Sequence, residues 1–547
     1  MNKGPHIDRK EWYFVFAVAA GILLLTSLPY VYAATTTPPD KVYTGMMLDV
    51  PDHLQYFSWM RELTDANLAA NKLTPEPNEP VFFNLLWWGL GRISRLIGVG
   101  YAGTFQILRV FSTLLFLAAV YRLLAYVLPL RKERLFAFLL VCFTSGFGWV
   151  LVVLKYTLTK GELLYPLDVY IAEANTFLCI LGYPHFIAAL LYIVTFDLIF
   201  IAERTKRYRY AVLAGLVALF LGWQHAYDLI TIYGILGAYG ILQWYRDRRL
   251  PSFLLKSGVI LGLISWWPAL YSVLLTRLDP IWKAVLEQFD NAGVFTPNLL
   301  HLPILLGLSF ILALVVGIVR NPVRLRTFSD VDLFFIGWFW ISFILVYLPV
   351  DYQIHLLNGW QIPIAYLATR GVFDYILPYV SRLKIFNKIR RRESIILAIL
   401  FLSVIPTNVY LFFWRFIELS RHDYPYYLST SEMDGLNWLD SHGEESDVVL
   451  SSLTIGQYIP AYTGKYAYLA HWAQTVDFFT KRDAVEEFFS DNTGDERRRQ
   501  ILSEKGVDFV FYGPAEKLLG SFEPAGRDYL VRVFEAGEVE IFQVKLE

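Results

Sequence analysis

Tyr13-Phe-Val-Phe-Ala-Val-Ala-Ala-Gly-Ile-Leu-Leu-Leu-Thr-Ser-Leu-Pro-Tyr-Val-Tyr32 decides how this chain is read. It carries no charge and is as long as a helix needs to be to cross a bilayer, about 20 residues. Lys3, Arg9 and Lys10 precede it, which puts the N-terminus on the cytoplasmic side. Ala33-Ala34 after it would also suit a signal-peptide end, but the long aromatic core reads as a retained anchor. The rest of the composition agrees with lipid as solvent. Of 547 residues, 56% are hydrophobic and only 18% charged, against about 25% charged in soluble domains, and the mean hydropathy is +0.42. Lys plus Arg number 48 and Asp plus Glu 49, so no charge excess points to nucleic acid. Cys142 and Cys179 can build neither a disulfide framework nor a paired zinc site. These features exclude an ordinary soluble enzyme, a disordered chain and a secreted disulfide scaffold.

Ten further apolar stretches centre on 105–128, 135–155, 183–202, 211–223, 226–243, 253–275, 302–319, 331–350, 360–378 and 394–416, which predicts about eleven spans. The 211–243 pair reads either as two short spans or as one re-entrant hairpin. Alternate connections are basic: Arg131/Lys132/Arg134, Arg204/Lys206/Arg207/Arg209, Arg246/Arg248/Arg249, Arg320/Arg324/Arg326 and the run Arg382–Arg392. The short connections of opposite parity, 156–182, 224–227, 276–301 and 351–359, hold only Lys160, Arg277 and Lys283. Cations favour the cytoplasmic side, so the predicted topology is N-terminus inside and tail outside, in a plasma or inner membrane.

Two large outer pieces follow from that topology. In the first loop, 33–104, the segment from Val81 mixes Trp87 and Trp88 with Arg92 and Arg95 and predicts an interfacial helix. The tail predicts strands at Asp447–Ser452, Tyr466–Ala470 and Val507–Tyr512. Helices are expected at Ser431–Ser441, Arg482–Ser490 and Glu496–Lys505, and a hairpin over Tyr529–Val544 around Gly537. The expected organisation is an α-helical polytopic membrane domain over 1–416, including the loop 33–104, and an extracytoplasmic α/β domain over 417–547.

Gly45-Met-Met-Leu-Asp49-Val-Pro-Asp52-His53-Leu-Gln-Tyr56 brings two carboxylates and an imidazole together just after the first span. A carboxylate partly desolvated near lipid can serve as general base for a hydroxyl nucleophile. The same letters also read as a helix start, with Asp49 capping and Asp52 in the first turn. Both hold together, because a helix is a rigid mount for a catalytic group.

This arrangement resembles the GT-C glycosyltransferases: an acidic motif in a long first outer loop, many spans, and an outer C-terminal domain. Many of those enzymes carry an Asp-Glu-x-x-Tyr-type motif, and here Asp52-His53-Leu54-Gln55-Tyr56 matches it at Asp52 and Tyr56, with His53 in place of the second acid. The resemblance implies a sugar donor linked to polyprenyl phosphate, an acceptor hydroxyl on a glycan, lipid or protein, and an Asp that takes the acceptor proton. Asp52 is the matching candidate and Asp49 the competing one. The departure at His53 leaves its role, and any requirement for a divalent metal ion, open.

His53 and Tyr56 are assigned to substrate binding together with other outer-side residues: Glu79 ahead of the interfacial helix, His185 in Tyr183-Pro-His, His225 in the turn Trp223–Asp228, and Gln353 and His355 between the ninth and tenth spans. Polar groups at membrane depth are costly unless partnered or facing a cavity. The three histidines lack metal-ligand spacing. Of the outer cations Lys155, Lys160, Arg277, Lys283, Arg92 and Arg95, Arg277 is the one assigned to a lipid phosphate, against a snorkelling anchor role. In the tail, Gly456–Tyr466 and Ala470-His471-Trp472 stand out but form no nucleotide-binding pattern, and the tail as a whole is assigned to acceptor binding or to capping the cavity. Two other classes stand beside the enzyme: a transporter or lipid flippase, for which repeat symmetry and midplane charges would be expected, and a non-catalytic envelope assembly subunit.

Overall fold

The computed structural model describes residues 7–159, 169–288, 295–319, 327–382 and 392–546. Lys3, Lys160, Arg320, Arg324, Arg326 and most of the basic run 382–392, cations of the predicted topology, lie outside the described residues.

The chain opens with helix α1 (Arg9–Thr36), strand β1 (Lys41–Tyr43), and helices α2 (Val50–Asp65), α3 (Leu85–Ile97) and α4 (Tyr101–Val127). Among the described residues, four helices are long and apolar enough to cross a bilayer: α1, α4, Pro184–Thr205 and Leu302–Val319. Three more apolar stretches form bent pairs, Arg131–Phe143 with Gly148–Leu158 (45°), Ser252–Ser265 with Trp267–Leu278 (45°), and Arg392–Ser403 with Pro406–Leu419 (48°). Pro268 and Pro406 stand at the second and third breaks, where a residue without an N–H cannot continue the ladder of the helix before it. The stretches near 211–223, 226–243, 331–350 and 360–378 form Arg209–Gly222, Asp228–Asp247, Asp330–Leu345 and Gln361–Gly371. Each of these is too short or too polar to meet the same length and apolarity.

Two compact units divide the chain. The first comprises Met1–Leu28, Gln106–Leu270 and Val294–Arg415. Lipid supplies no hydrophobic drive between helices, so close packing and polar contacts must hold them together. α1 buries Val15, Ala19 and Ile22 at helical spacing, and Arg109 of α4 donates to Thr26 Oγ1 and Ser27 Oγ, 2.7 Å each. Glu11 takes two hydrogen bonds from Arg134, at 3.0 and 2.8 Å, so this buried charge is paired. Farther along, Phe196, Phe334 and Trp338 interlock, as do Phe343 and Trp360, with ring centroids 4.7–5.7 Å apart.

The second unit comprises Pro29–Phe105, Tyr271–Gly293 and Phe416–Glu547. It groups residues 29–105 with the tail. The reason is visible in the backbone: β1 pairs antiparallel with β2 (Tyr427–Ser429), Val42 opposite Leu428, and Ala467 N–H donates to Lys72 O at 2.9 Å. The Lys72 ammonium is buried between Glu62 Oε1, 2.7 Å, and Gly464 O, 2.6 Å.

Tail strands β3 (Val448–Leu450), β4 (Tyr466–Ala467), β5 (Val507–Tyr512), β6 (Leu530–Ala536) and β7 (Val539–Val544) form a sheet in the order β4-β3-β5-β7-β6. β3 runs parallel to β4 and β5, and β5, β7 and β6 are antiparallel. All of Val448-Val-Leu is buried, as a central parallel strand requires. Gly537 turns the β6–β7 hairpin at φ +56°, a left-handed conformation in which glycine carries no steric penalty. Helix Thr430–Ser441 starts with a reciprocal cap, Ser429 Oγ accepting from Glu432 N–H and Glu432 Oε2 from Ser429 N–H.

α3 lies against α2 at Gly91, where a Cβ would stand 2.4 Å from Met60 O. Its indole Trp87 is buried against Tyr56 (4.5 Å, 14°). The expected interfacial helix thus spends an aromatic group on protein, and its exposed apolar edge is Ile93, Leu96 and Ile97.

Candidate functional site

α2 carries the acidic motif. Pro51 sits at its start, where a fixed φ and a missing N–H cost nothing. Asp49 takes the N-cap position, but with φ +46° and ψ +51° it makes no side-chain capping bond. Capping needs an extended N-cap backbone to aim the oxygen at the N2 and N3 amides. Asp49 is exposed. His53 turns the other way and is buried beside Tyr56, Phe57 and Phe105, the last 5.0 Å away.

Asp52 lies between these extremes, its side chain 28% exposed. Its Oδ1 is 2.9 Å from Nε2 of His471, a tail residue 419 positions away that is 2% exposed. The loop carrying His471 is braced from several directions. Thr475 Oγ1 accepts from the N–H groups of Ala470 and His471, 3.0 Å each, and donates to Leu73 O at 2.6 Å. Gln288 Nε2 donates to Ala473 O and Thr475 O, at 2.8 and 2.6 Å, and Asn71 Nδ2 donates to Gln474 O at 3.0 Å. His471 Nδ1 accepts from Ala473 N–H at 3.1 Å. A partly exposed carboxylate with one oxygen held and a rigid frame behind it is equipped to take a proton from a bound hydroxyl.

Glu79 is exposed; the engaged acid of that segment is Glu76. Burial pushes its carboxyl up, but Lys481 (2.6 Å), Thr74 and Lys505 (3.0 Å) outweigh burial and hold it below the ordinary carboxylate value. Burial raises Glu62 above its ordinary value against the opposing charge of Lys72. Arg277 is exposed in the last turn of its helix.

In the first unit, His185, His225 and His355 come together. His355 Nδ1 is 3.0 Å from Glu173 Oε1, and His225 Nδ1 is 3.6 Å from Asp228 Oδ2. The Tyr227 ring lies nearly parallel to both imidazoles, 5.1 Å from His225 and 5.2 Å from His355, while His185 meets His225 edge-on at 5.7 Å. Gln353 does not join them: its Nε2 donates to Leu348 O at 2.7 Å, bracing its own loop. Glu173 has no local signature in the sequence, being one of three acids in the 27-residue connection 156–182.

Among the described residues no group of three or more His, Cys, Asp or Glu side chains is disposed to hold a metal ion. Each of these imidazoles faces one carboxylate or a ring instead.

No protein-family model and no curated protein sequence matches the chain. Solved structures do. The Archaeoglobus fulgidus oligosaccharyltransferase, tethered with an acceptor peptide containing the NVT sequon, is 15% identical with a TM-score of 0.56, over 90% of this chain and 69% of that one. The same enzyme in complex with Zn and sulfate gives 14% and 0.51, over 90% and 67%. A mutant of the arabinofuranosyltransferase AftD from Mycobacteria gives 14% and 0.59 over 100% of this chain, which spans 42% of that much longer protein. At such identities the likeness is one of fold: this chain shares the fold of that oligosaccharyltransferase and of that arabinofuranosyltransferase.

Proposed function

We propose that this chain is a membrane glycosyltransferase that moves a sugar from a polyprenyl-phosphate carrier to an acceptor hydroxyl on the outer face of the membrane. The observation that carries the reading is Asp52, half-sheltered on a rigid helix start with Oδ1 held by His471. The acceptor oxygen attacks the anomeric carbon, the bond from that carbon to the phosphate oxygen breaks, and the acceptor proton passes to Asp52 Oδ2. Polyprenyl phosphate leaves with the bonding pair, so no general acid is demanded, and in-line displacement inverts the anomeric configuration. Asp49, exposed and outside the His471 bond, is the secondary candidate. Tyr56 stacked on Trp87 offers an aromatic edge beside the base, and we assign buried His53 to supporting that edge. Arg277 is assigned to the lipid phosphate, Glu79 to the acceptor, and His185, His225 and His355, with Gln353 bracing their loop, to polar parts of the substrate.

Eleven spans with the N-terminus inside belong to the same proposal. We assign those spans to the four long helices, the three bent pairs, and Arg209–Gly222, Asp228–Asp247, Asp330–Leu345 and Gln361–Gly371. Purified protein in liposomes with a labelled polyprenyl-phosphate sugar tests the reading. Asp52→Asn should lower transfer by about 10²–10⁴-fold, the usual worth of general-base help, with the protein still folded. Full activity in both Asp52→Asn and Asp49→Asn would refute it.

A further inference from the structure

We infer that His471 is a positioning residue, a neutral imidazole locked in one tautomer that donates Nε2–H to Asp52 Oδ1 and aims the other carboxylate oxygen at the acceptor. This rests on the reading of Asp52 as the base. The tautomer follows from the hydrogen-bond network. A neutral imidazole has one N–H and one lone pair. The N–H of Ala473 points at His471 Nδ1 at 3.1 Å, and a backbone amide can only donate, so Nδ1 holds the lone pair. The ring proton therefore sits on Nε2, which faces Asp52 Oδ1 at 2.9 Å.

Three consequences follow. His471 cannot itself take a proton from the acceptor, because its single lone pair is already used by Ala473. Protonating Nδ1 would set its N–H against the N–H of Ala473. The carboxylate is left with Oδ1 pinned and Oδ2 available, its rotation fixed by a ring that is itself held by Thr475, Gln288 and Asn71 through the loop backbone. The tail thereby supplies part of the catalytic geometry. Groups that orient a working group in this way are typically worth 10–100-fold.

Two substitutions separate positioning from scaffolding. The Oδ1 of an asparagine falls near His Nδ1, so His471→Asn keeps an acceptor for Ala473 N–H but loses the donor to Asp52. The amide of a glutamine reaches the place of Nε2, so His471→Gln keeps that donor and loses the acceptor. In full-length protein, with thermal unfolding measured in parallel, His471→Asn should lower kcat about 10- to 100-fold at near-constant KM, and His471→Gln should stay about tenfold above it. In an Asp52→Asn background, His471→Asn should cause no further loss. Nitrogen-15 spectra of histidine-labelled protein, assigned by difference against His471→Gln, should show a protonated Nε2 in the parent.

A protonated Nδ1 there, wild-type kcat in His471→Asn, or equal losses in the two variants tracking thermal stability would each overturn the inference. If Asp52→Asn is fully active, the reading of the base fails. If Asp52→Asn is inactive while His471→Asn is not, only the role of His471 fails.

Discussion

Lys481 places an ammonium in the tail where its side chain is 3% exposed, and Glu76 of the loop between α1 and α4 stands 2.6 Å from it, 18% exposed. Glu76→Gln keeps the shape and removes the charge, leaving a buried cation with the Val476 carbonyl as a remaining acceptor. Breaking a buried pair from one side costs about 3–5 kcal/mol. Glu76 is not fully buried and Val476 O remains, so about 2–3 kcal/mol is expected. Lys481→Met should cost less, about 1 kcal/mol, because Glu76 would keep Lys505 at 3.0 Å and Thr74. Hydrogen exchange over residues 470–481 reads the effect, since 2–3 kcal/mol corresponds to about 30- to 150-fold faster local exchange. Lys481 and Lys505 hold the Glu76 carboxyl below its ordinary value. Its contribution is therefore complete above the unfolded carboxylate value of about 4.3, and is lost as pH falls through the lower folded value. The difference between parent and Glu76→Gln should close in that acid window. Equal exchange in the two proteins at neutral pH, or a difference that persists below both values, would refute the reasoning.

Gln288→Ala removes both donors from Gln288 to the His471 loop. It should destabilise that loop by about 1–3 kcal/mol and lower kcat more than it raises KM, as steady-state kinetics with hydrogen exchange would show. Single cysteines placed in 33–104 of a protein lacking Cys142 and Cys179 should react with an impermeant maleimide from outside intact cells; labelling only after lysis would remove the whole outer-face assignment.

Local physics was legible in the sequence wherever neighbours along the chain decide the outcome. The uncharged run of α1 demands a helix, Ser429 and Glu432 stand at capping-box spacing, and Gly537 between two alternating runs forms a hairpin turn. Asp49 shows the limit even there: its letters suit a cap, yet its left-handed backbone turns the carboxylate away from that bond. Periodicity carries no information about partners far apart. The pairing of β1 with β2, the burial of Lys72 against Gly464 O and the bond from His471 to Asp52 join the first loop to the tail across some 400 residues. Only the folded chain selects them, because each depends on which buried polar groups can be satisfied together. Thus the sequence alone determined a helical membrane chain with an acid beside its first span, and the tertiary structure decided which acid is held and by what.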